Sequence, residues 1–337
     1  MNQFSFEFDP PRPAEPAPAN PVPPSRTPNL EEMARRLEQD PDFRVLRRLV
    51  PIADFGPAPT APDAGPTTPG VQRVLVLDTE TTGLVHRVDR IIELAMLLVH
   101  VDTASGLPFG PVELFEGFED PGMPIPAIAR EVTGISDDMV QGHRLDDQQV
   151  EAMVLKADLI VAHNAGFDRP FVEARFPGFA EKAWACSFAD IDWKAAGAGS
   201  SKLSALAQDH GWFYDAHRAQ VDCHALLQVL ARPVGKAPST GLAQLIAASS
   251  KPSFKLRATG SPFESKDQLK GRGYRWDGDA KIWYCTLADQ ARLDAELEWL
   301  KAEVYGRRNA RVEIETLDSL VRYSARAGNV AQRALTG

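Results

Sequence analysis

The sequence predicts an α/β body followed by a small α+β module. Three observations carry this. Apolar runs of strand length interleave with helically spaced segments between residues 71 and 233. The first 70 residues hold 16 of the 27 prolines, so the packed core has to come after them. A basic, aromatic segment with short strand patterns follows residue 250.

Along the chain, residues 1–28 read as a disordered Pro-rich arm. Residues 29–50 form a helical island, with Asn29 as cap, Glu31 and Glu32 in the first turn, and apolar spacing at Leu30, Met33 and Leu37. Asp40-Pro41 interrupts it, and residues 43–50 predict a second short helix. Residues 51–70 are a Pro/Ala/Thr/Gly linker. Within the body at 71–233, strands are expected near 72–80, 90–102, 112–118, 158–163 and 184–190. Helices are expected near 126–131, 146–156, 169–175, 201–210 and 221–231. A linker at 234–250 precedes the small module at 251–311, and 312–337 reads as a tail. In the module, residues from Phe254 predict a strand, Phe263 onward a short helix, Tyr274–Leu287 a hairpin turning at Asp277-Gly278, and Ala288–Tyr305 a helix.

The first strand carries the chemistry. Val74-Leu-Val-Leu-Asp78-Thr-Glu80-Thr-Thr-Gly83-Leu84 is an apolar run ending in two acids one residue apart. Strand alternation puts Asp78 and Glu80 on one face, with Cα atoms roughly 6.6 Å apart. Two carboxylates there repel each other and lose solvation, and a divalent cation offsets both costs. A second apolar run, Leu159-Ile-Val-Ala-His163-Asn164-Ala-Gly-Phe167-Asp168, leads into a helix start with Asp168 near its N-terminus and Pro170 in the first turn. On its own Asp168 reads as an ordinary helix cap. The third segment, His217-Arg218-Ala219-Gln220-Val221-Asp222, opens a further helix. In one continuous helix His217 and Asp222 would be about 140° apart, so His217 belongs on the entering loop, free to reach the acids.

These three segments, in this order, resemble the DnaQ-like 3′–5′ exonuclease superfamily over about residues 71–233. Val132-Thr133-Gly134-Ile135 resembles a further segment of that family. Histidine five residues before Asp222, with Arg218 where a tyrosine would mark the other subclass, makes this similar to the histidine (DEDDh) type. The resemblance implies an RNase H-like fold, a mixed five-stranded sheet flanked by helices. It also implies two Mg²⁺ or Mn²⁺ ions held by Asp78, Glu80, Asp168 and Asp222, with His217 as general base. Hard oxygen donors suit those ions, and a histidine titrates near working pH. The backbone at Thr82-Gly83-Leu84 would then hold the terminal nucleotide, with Leu84 packing on its base. Asn164 and Phe167 are candidate substrate contacts, or equally a strand-end hydrogen bond and a core aromatic.

The implied function is phosphodiester hydrolysis from nucleic-acid 3′ ends, in proofreading, DNA repair or RNA trimming, with single strands favoured. Proofreading would need a polymerase or other replication or repair partner. The alternative is a catalytically inactive nucleic-acid-binding or scaffolding protein on the same fold. The presence of all four acids and the histidine favours the enzyme.

Among the other polar residues, His163 is expected to hydrogen-bond structurally. Glu93 reads as a structural group beside the site, and His224 as facing away from it. The start Met1-Asn-Gln-Phe-Ser has neither the basic end nor the apolar stretch of a signal peptide, and no run reaches membrane-spanning length. Cys186, Cys223 and Cys285 are scattered, as reduced thiols of a cytoplasmic protein would be.

The net charge of −9 is uneven: residues 251–337 hold 16 Lys/Arg against 12 Asp/Glu. Lys266, Lys270, Arg272 and Arg275 lie among Phe263, Tyr274, Trp276, Trp283 and Tyr284, a mixture that suits single strands, although in so short a module most of the rings are expected to form a small core with the charges solvated. The three acidic motifs end before residue 235, so the body is expected to work without this module.

Overall fold

The computed structural model describes residues 29–59, 70–236, 238–306 and 308–335. The arm at 1–28 and much of the 51–70 linker lie outside these residues. The chain divides into two units, at Met1–Val45 and Leu46–Gly337. In the first, a helix spans Leu30–Leu37. Asn29 caps it by accepting from the Glu32 amide, and the pairs Glu31–Arg35 and Glu32–Arg36 lie along its side.

The second unit is built on two five-stranded sheets. The first holds β1 (Val71–Thr81), β2 (Ile91–Asp102), β3 (Pro108–Phe118), β4 (Leu159–Ala162) and β5 (Ala183–Cys186), in the order β3-β2-β1-β4-β5. β1 is antiparallel to β2 and parallel to β4, so the sheet is mixed. Val74, Leu75, Val76 and Leu77 are all fully buried, because both faces of the sheet are covered. Val74, Val76, Ala95 and Leu97 pack on one face against Ala225, Leu226 and Val229 of the helix Ala219–Leu230. Leu75, Leu77, Leu94 and Met96 pack on the other against Val150 and Met153 of Asp147–Lys156 and Phe171 of Ala165–Arg175. This is the α/β body the strand and helix spacing predicts.

Five local expectations are corrected. The strand expected near 184–190 ends at Cys186, and Ser187–Asp190 is a short helix. Residues 43–50 form no second helix; Arg47–Arg48 pair in parallel with Trp212–Phe213, and Leu49 is buried in the body's core. The 234–250 segment is not a linker throughout: Gly241–Ser249 is a helix capped by Thr240, with Leu242 and Leu245 fully buried. The helix bearing Asp168 begins at Ala165, so Pro170 lies inside it and not in the first turn. The tail at 312–337 is mostly sheet.

That second sheet comprises β6 (Ser253–Ala258), β7 (Arg275–Asp277), β8 (Ile282–Leu287), β9 (Ala310–Leu317) and β10 (Asn329–Leu335), in the order β10-β9-β6-β8-β7. Helix Gln290–Trp299 covers one face, burying Leu293 and Leu297 against Phe254, Leu256, Val312 and Ile314. Tyr274 is buried in this core, whereas Phe263 and Trp276 are exposed. Between β9 and β10, residues 318–326 cross to the first sheet, and the Trp184 amide of β5 donates to the Ser319 carbonyl at 2.8 Å.

Candidate active site

The site lies where β1 ends beside the starts of two helices. β1 lifts Asp78 and Glu80 out of the apolar sheet on one face, as alternation requires. Helix Ala219–Leu230 brings Asp222 in its first turn. Oxygens of Asp78, Glu80 and Asp222 all lie within 4.8 Å of one another. Helix Ala165–Arg175 brings Asp168, almost fully buried, whose Oδ1 accepts from the Thr79 amide at 3.1 Å and the Thr79 hydroxyl at 2.8 Å. Asp168 is therefore no helix cap. The capping position is Asn164, held in the left-handed region at φ 75°.

Three further contacts lock Asp222, one of them from the Arg218 amide, which donates to Oδ2 at 3.2 Å. His217 takes a left-handed φ of 68°, uncommon for a residue with a side chain. The turn it makes aims its amide at Asp222 Oδ2, 2.8 Å away. The Tyr214 hydroxyl donates to Asp222 Oδ1 at 3.1 Å. Glu93, directly across from Glu80 on β2, accepts from the Arg218 guanidinium at 2.9 Å and from the Ala219 amide at 3.0 Å. It thereby ties the Asp222 helix to the sheet.

These groups line a cleft of about 570 Å³ with His163, Asn164, Phe167, His217 and Lys202 on its walls. His217 is exposed at the rim. His163 donates to or accepts from the Ser187 hydroxyl at 2.6 Å, and burial holds its pKa down to about 4. Phe167 is half-buried and stacks on Phe171 at 5.1 Å between centroids.

Packing four acids together raises all their pKa values. Burial pushes Glu80 up to about 8, reinforced by the charges of Asp222, Glu93 and Asp168 and opposed by Arg218. Burial lifts Asp168 to about 7 against the pull of the Thr79 hydrogen bonds. Asp78 is raised well above the carboxylate range, first by burial, then by Asp168, Asp222 and Glu80. Burial also raises Asp222, while Tyr214 and the two backbone amides counter it. A cluster of hard oxygen donors that resists ionisation suits a divalent cation, whose charge would offset the repulsion. The donor set therefore fits such a group.

The Thr82-Gly83-Leu84 segment does not line this cleft. The Thr82 amide donates to the Arg90 carbonyl at 2.9 Å, and its hydroxyl bonds to the Arg90 amide and the Asp89 carboxylate, so both groups are already committed. A Cβ on Gly83 would stand 2.5 Å from the Asp89 carboxylate, which explains the glycine by packing. Leu84 is 83% exposed. Tyr214 and Lys202 were not singled out by sequence. Tyr214 lies eight residues before Asp222 in a Trp-Phe-Tyr run, with no spacing rule to mark it.

Residues 75–230 match the family model described as Exonuclease (RNase_T), and the four acids and His217 fall inside that span. PolC-type DNA polymerase III from Listeria welshimeri is 41% identical over 108 residues, which is 30% of this chain and 7% of the relative. The Bacillus subtilis protein of the same name is 36% identical over 108 residues, with the same shares. The chain thus spans only a small part of these relatives. Among solved structures, Exonuclease X in complex with 5′ overhanging duplex DNA aligns at 24% identity and TM-score 0.37, covering 47% of this chain and 89% of that one. E. coli Exonuclease I in complex with an oligonucleotide aligns at 17% identity and TM-score 0.38, covering 56% and 48%. Residues 75–230, a little under half of the chain, are thus similar to the Exonuclease family, and the sheet they contain is mixed, five-stranded and flanked by helices, the α/β arrangement that this resemblance implies. Among the described residues, no helix is long and apolar enough to cross a membrane.

Proposed function

We propose that this chain is a metal-dependent 3′–5′ exonuclease of the DEDDh type, acting on single-stranded nucleic-acid ends. The observation that carries the proposal is the convergence of Asp78, Glu80 and Asp222 oxygens within 4.8 Å, with Asp168 in the same cleft. In this reading those four acids hold two Mg²⁺ or Mn²⁺ ions. Divalent ions held by these acids would supply Lewis acidity for activating water and offsetting charge at the phosphate.

The chain's own groups do the rest. His217, exposed at the rim, accepts a proton from the attacking water. Tyr214 and the His217 and Arg218 amides orient Asp222, and Thr79 orients Asp168. Lys202 on the cleft wall faces the substrate phosphates, while Phe167 and the exposed Leu84 offer apolar surface to bases. Asn164, exposed at the cleft, is a polar contact for the sugar or phosphate.

The PolC-type relatives support a DNA substrate and a role in replication or repair. The test is purified protein with Mg²⁺ on end-labelled single-stranded DNA and RNA, side by side. Mg²⁺-dependent shortening of DNA is expected. An absence of hydrolysis on both would sink the proposal and favour the inactive-scaffold alternative.

A further inference from the structure

Arg169 follows Asp168 directly, and its side chain is fully buried. A buried guanidinium has to have its donors satisfied, since an unpaired charge inside a protein is strongly destabilising. Among the described residues one carboxylate, Glu173, hydrogen-bonds to it, at 2.6 Å from Nε. The other donors go to backbone carbonyls about 150 residues away. Nη1 donates to the Arg322 carbonyl at 2.6 Å and, more distantly, to that of Ser319; Nη2 donates to that of Leu320. The plane also sits 5.1 Å over the Trp184 ring.

The same strap, residues 318–326, grips the site at a second point. Arg322 Nη1 meets Asp190 Oδ1 at 3.2 Å, and the Tyr323 hydroxyl donates to the same oxygen. Asp190 ends the short helix Ser187–Asp190, which carries both Phe188 on the cleft wall and Ser187, the partner of His163. Arg326 closes the strap by bonding to the Leu320 carbonyl, the Ala180 carbonyl and Glu173.

We propose that Arg169 is a positioning residue for Asp168, clamped by the Ser319, Leu320 and Arg322 carbonyls, so that the C-terminal module holds one acid of the metal site from behind. This rests on the exonuclease reading above. It follows that the module is not a separable appendage: cutting the chain near residue 235 strips the clamp from a fully buried cation one residue from Asp168. On this proposal, truncation there lowers activity even on a short oligonucleotide, the opposite of a body that works unaided.

The test uses full-length wild type, Arg169→Lys and Arg326→Ala. Lysine keeps the charge but cannot fork to three carbonyls. Mn²⁺ binding is read by calorimetry, and kcat and KM are read on a short oligonucleotide. Partners that orient metal ligands typically contribute about 10–100-fold in metal affinity or activity. Arg169→Lys is therefore expected to weaken Mn²⁺ binding and lower kcat within that range, with KM unchanged and kcat partly restored at high Mn²⁺. Arg326→Ala, at the exposed end of the strap, is expected to move in the same direction by less. Loss of stability alone would not produce an Mn²⁺-rescuable kcat. A folded Arg169→Lys with wild-type Mn²⁺ affinity and kcat overturns the proposal and leaves the exonuclease reading standing. If that variant does not fold, the same result for Arg326→Ala overturns it. Wild type that neither binds Mn²⁺ nor hydrolyses overturns both.

Discussion

Replacing Glu80 by glutamine should make the metal-free protein more stable, by an amount that grows as pH rises from about 5 to above 8. Glu80 is buried among Asp222, Glu93 and Asp168, and its pKa stands at about 8 against an ordinary 4.5. Below pH 4.5 the carboxyl is protonated in both folded and unfolded chains, and it makes no difference to stability. Between 4.5 and 8 the unfolded chain releases the proton while the folded protein keeps it. The folded state then binds more protons, and stability falls as pH rises through that window. Each tenfold difference in proton affinity is about 1.4 kcal/mol, so the full penalty above pH 8 is roughly 4–5 kcal/mol. The neighbouring acids share the repulsion, and glutamine still has to be desolvated, so the substitution should recover about 2–4 kcal/mol of it. For a domain of this size that is about 4–10 °C in Tm. The assay is thermal unfolding of wild type and Glu80→Gln in EDTA from pH 5 to 9. The two curves should meet near pH 5 and separate by pH 8.5, with the variant higher. Mg²⁺ should then close the gap by stabilising the wild type. A difference that stays constant with pH, or a variant less stable at pH 8.5, would refute the account of the acid cluster.

Three other outcomes follow from the same site and from the second sheet. Asp78→Ala and Asp222→Ala should each remove Mg²⁺-dependent hydrolysis while apo-protein stability holds or rises; near-normal activity in either would contradict their assignment. His217→Ala should slow single-turnover cleavage by about 10²–10⁴-fold, the range for a lost general base. It should leave Mn²⁺ affinity unchanged, and a lost calorimetric signal would instead make His217 a ligand. Trp276, 52% exposed and 5.5 Å from the Trp283 ring, should stack on bases. Trp276→Ala should weaken binding of long single strands by about 1–3 kcal/mol and leave short ones unaffected; identical affinities on long strands would reduce that surface to packing.

Much of this molecule was legible in its sequence because its chemistry is local. Asp78 and Glu80 sit on one strand, so period-two alternation alone places them together, and the structure keeps them so. The helices that deliver Asp168 and Asp222 announce themselves by apolar spacing, although Asn164 in a left-handed conformation starts the first one earlier than Pro170 suggests. Glu93 could be read as a polar group in a buried strand, and it is one, bound to Arg218. Long-range contacts were not legible. The Arg169 clamp joins a side chain to carbonyl oxygens, and every residue carries a carbonyl, so no residue type marks the partner. β10 is exposed at six of seven positions and leaves no apolar pattern to read. Val312 and Ile314 in β9 do alternate, but a single strand gives no sign of the sheet it joins. The Thr-Thr-Gly after Glu80 reads in sequence as ligand-contacting; that Thr82 and Gly83 also accommodate Asp89, seven and six residues further on, has no sequence signal.

The central claim is tested most directly by polarity. One single-stranded DNA is labelled at its 5′ end in one sample and at its 3′ end in another, and each is given wild type or Asp78→Ala with Mg²⁺ or EDTA. The 3′ label should appear at once as a mononucleotide, while the 5′ label passes through a descending ladder, in wild type with Mg²⁺ alone. Mononucleotide released first from the 5′ label, internal cuts with no ladder, or cleavage by Asp78→Ala equal to wild type would contradict the account.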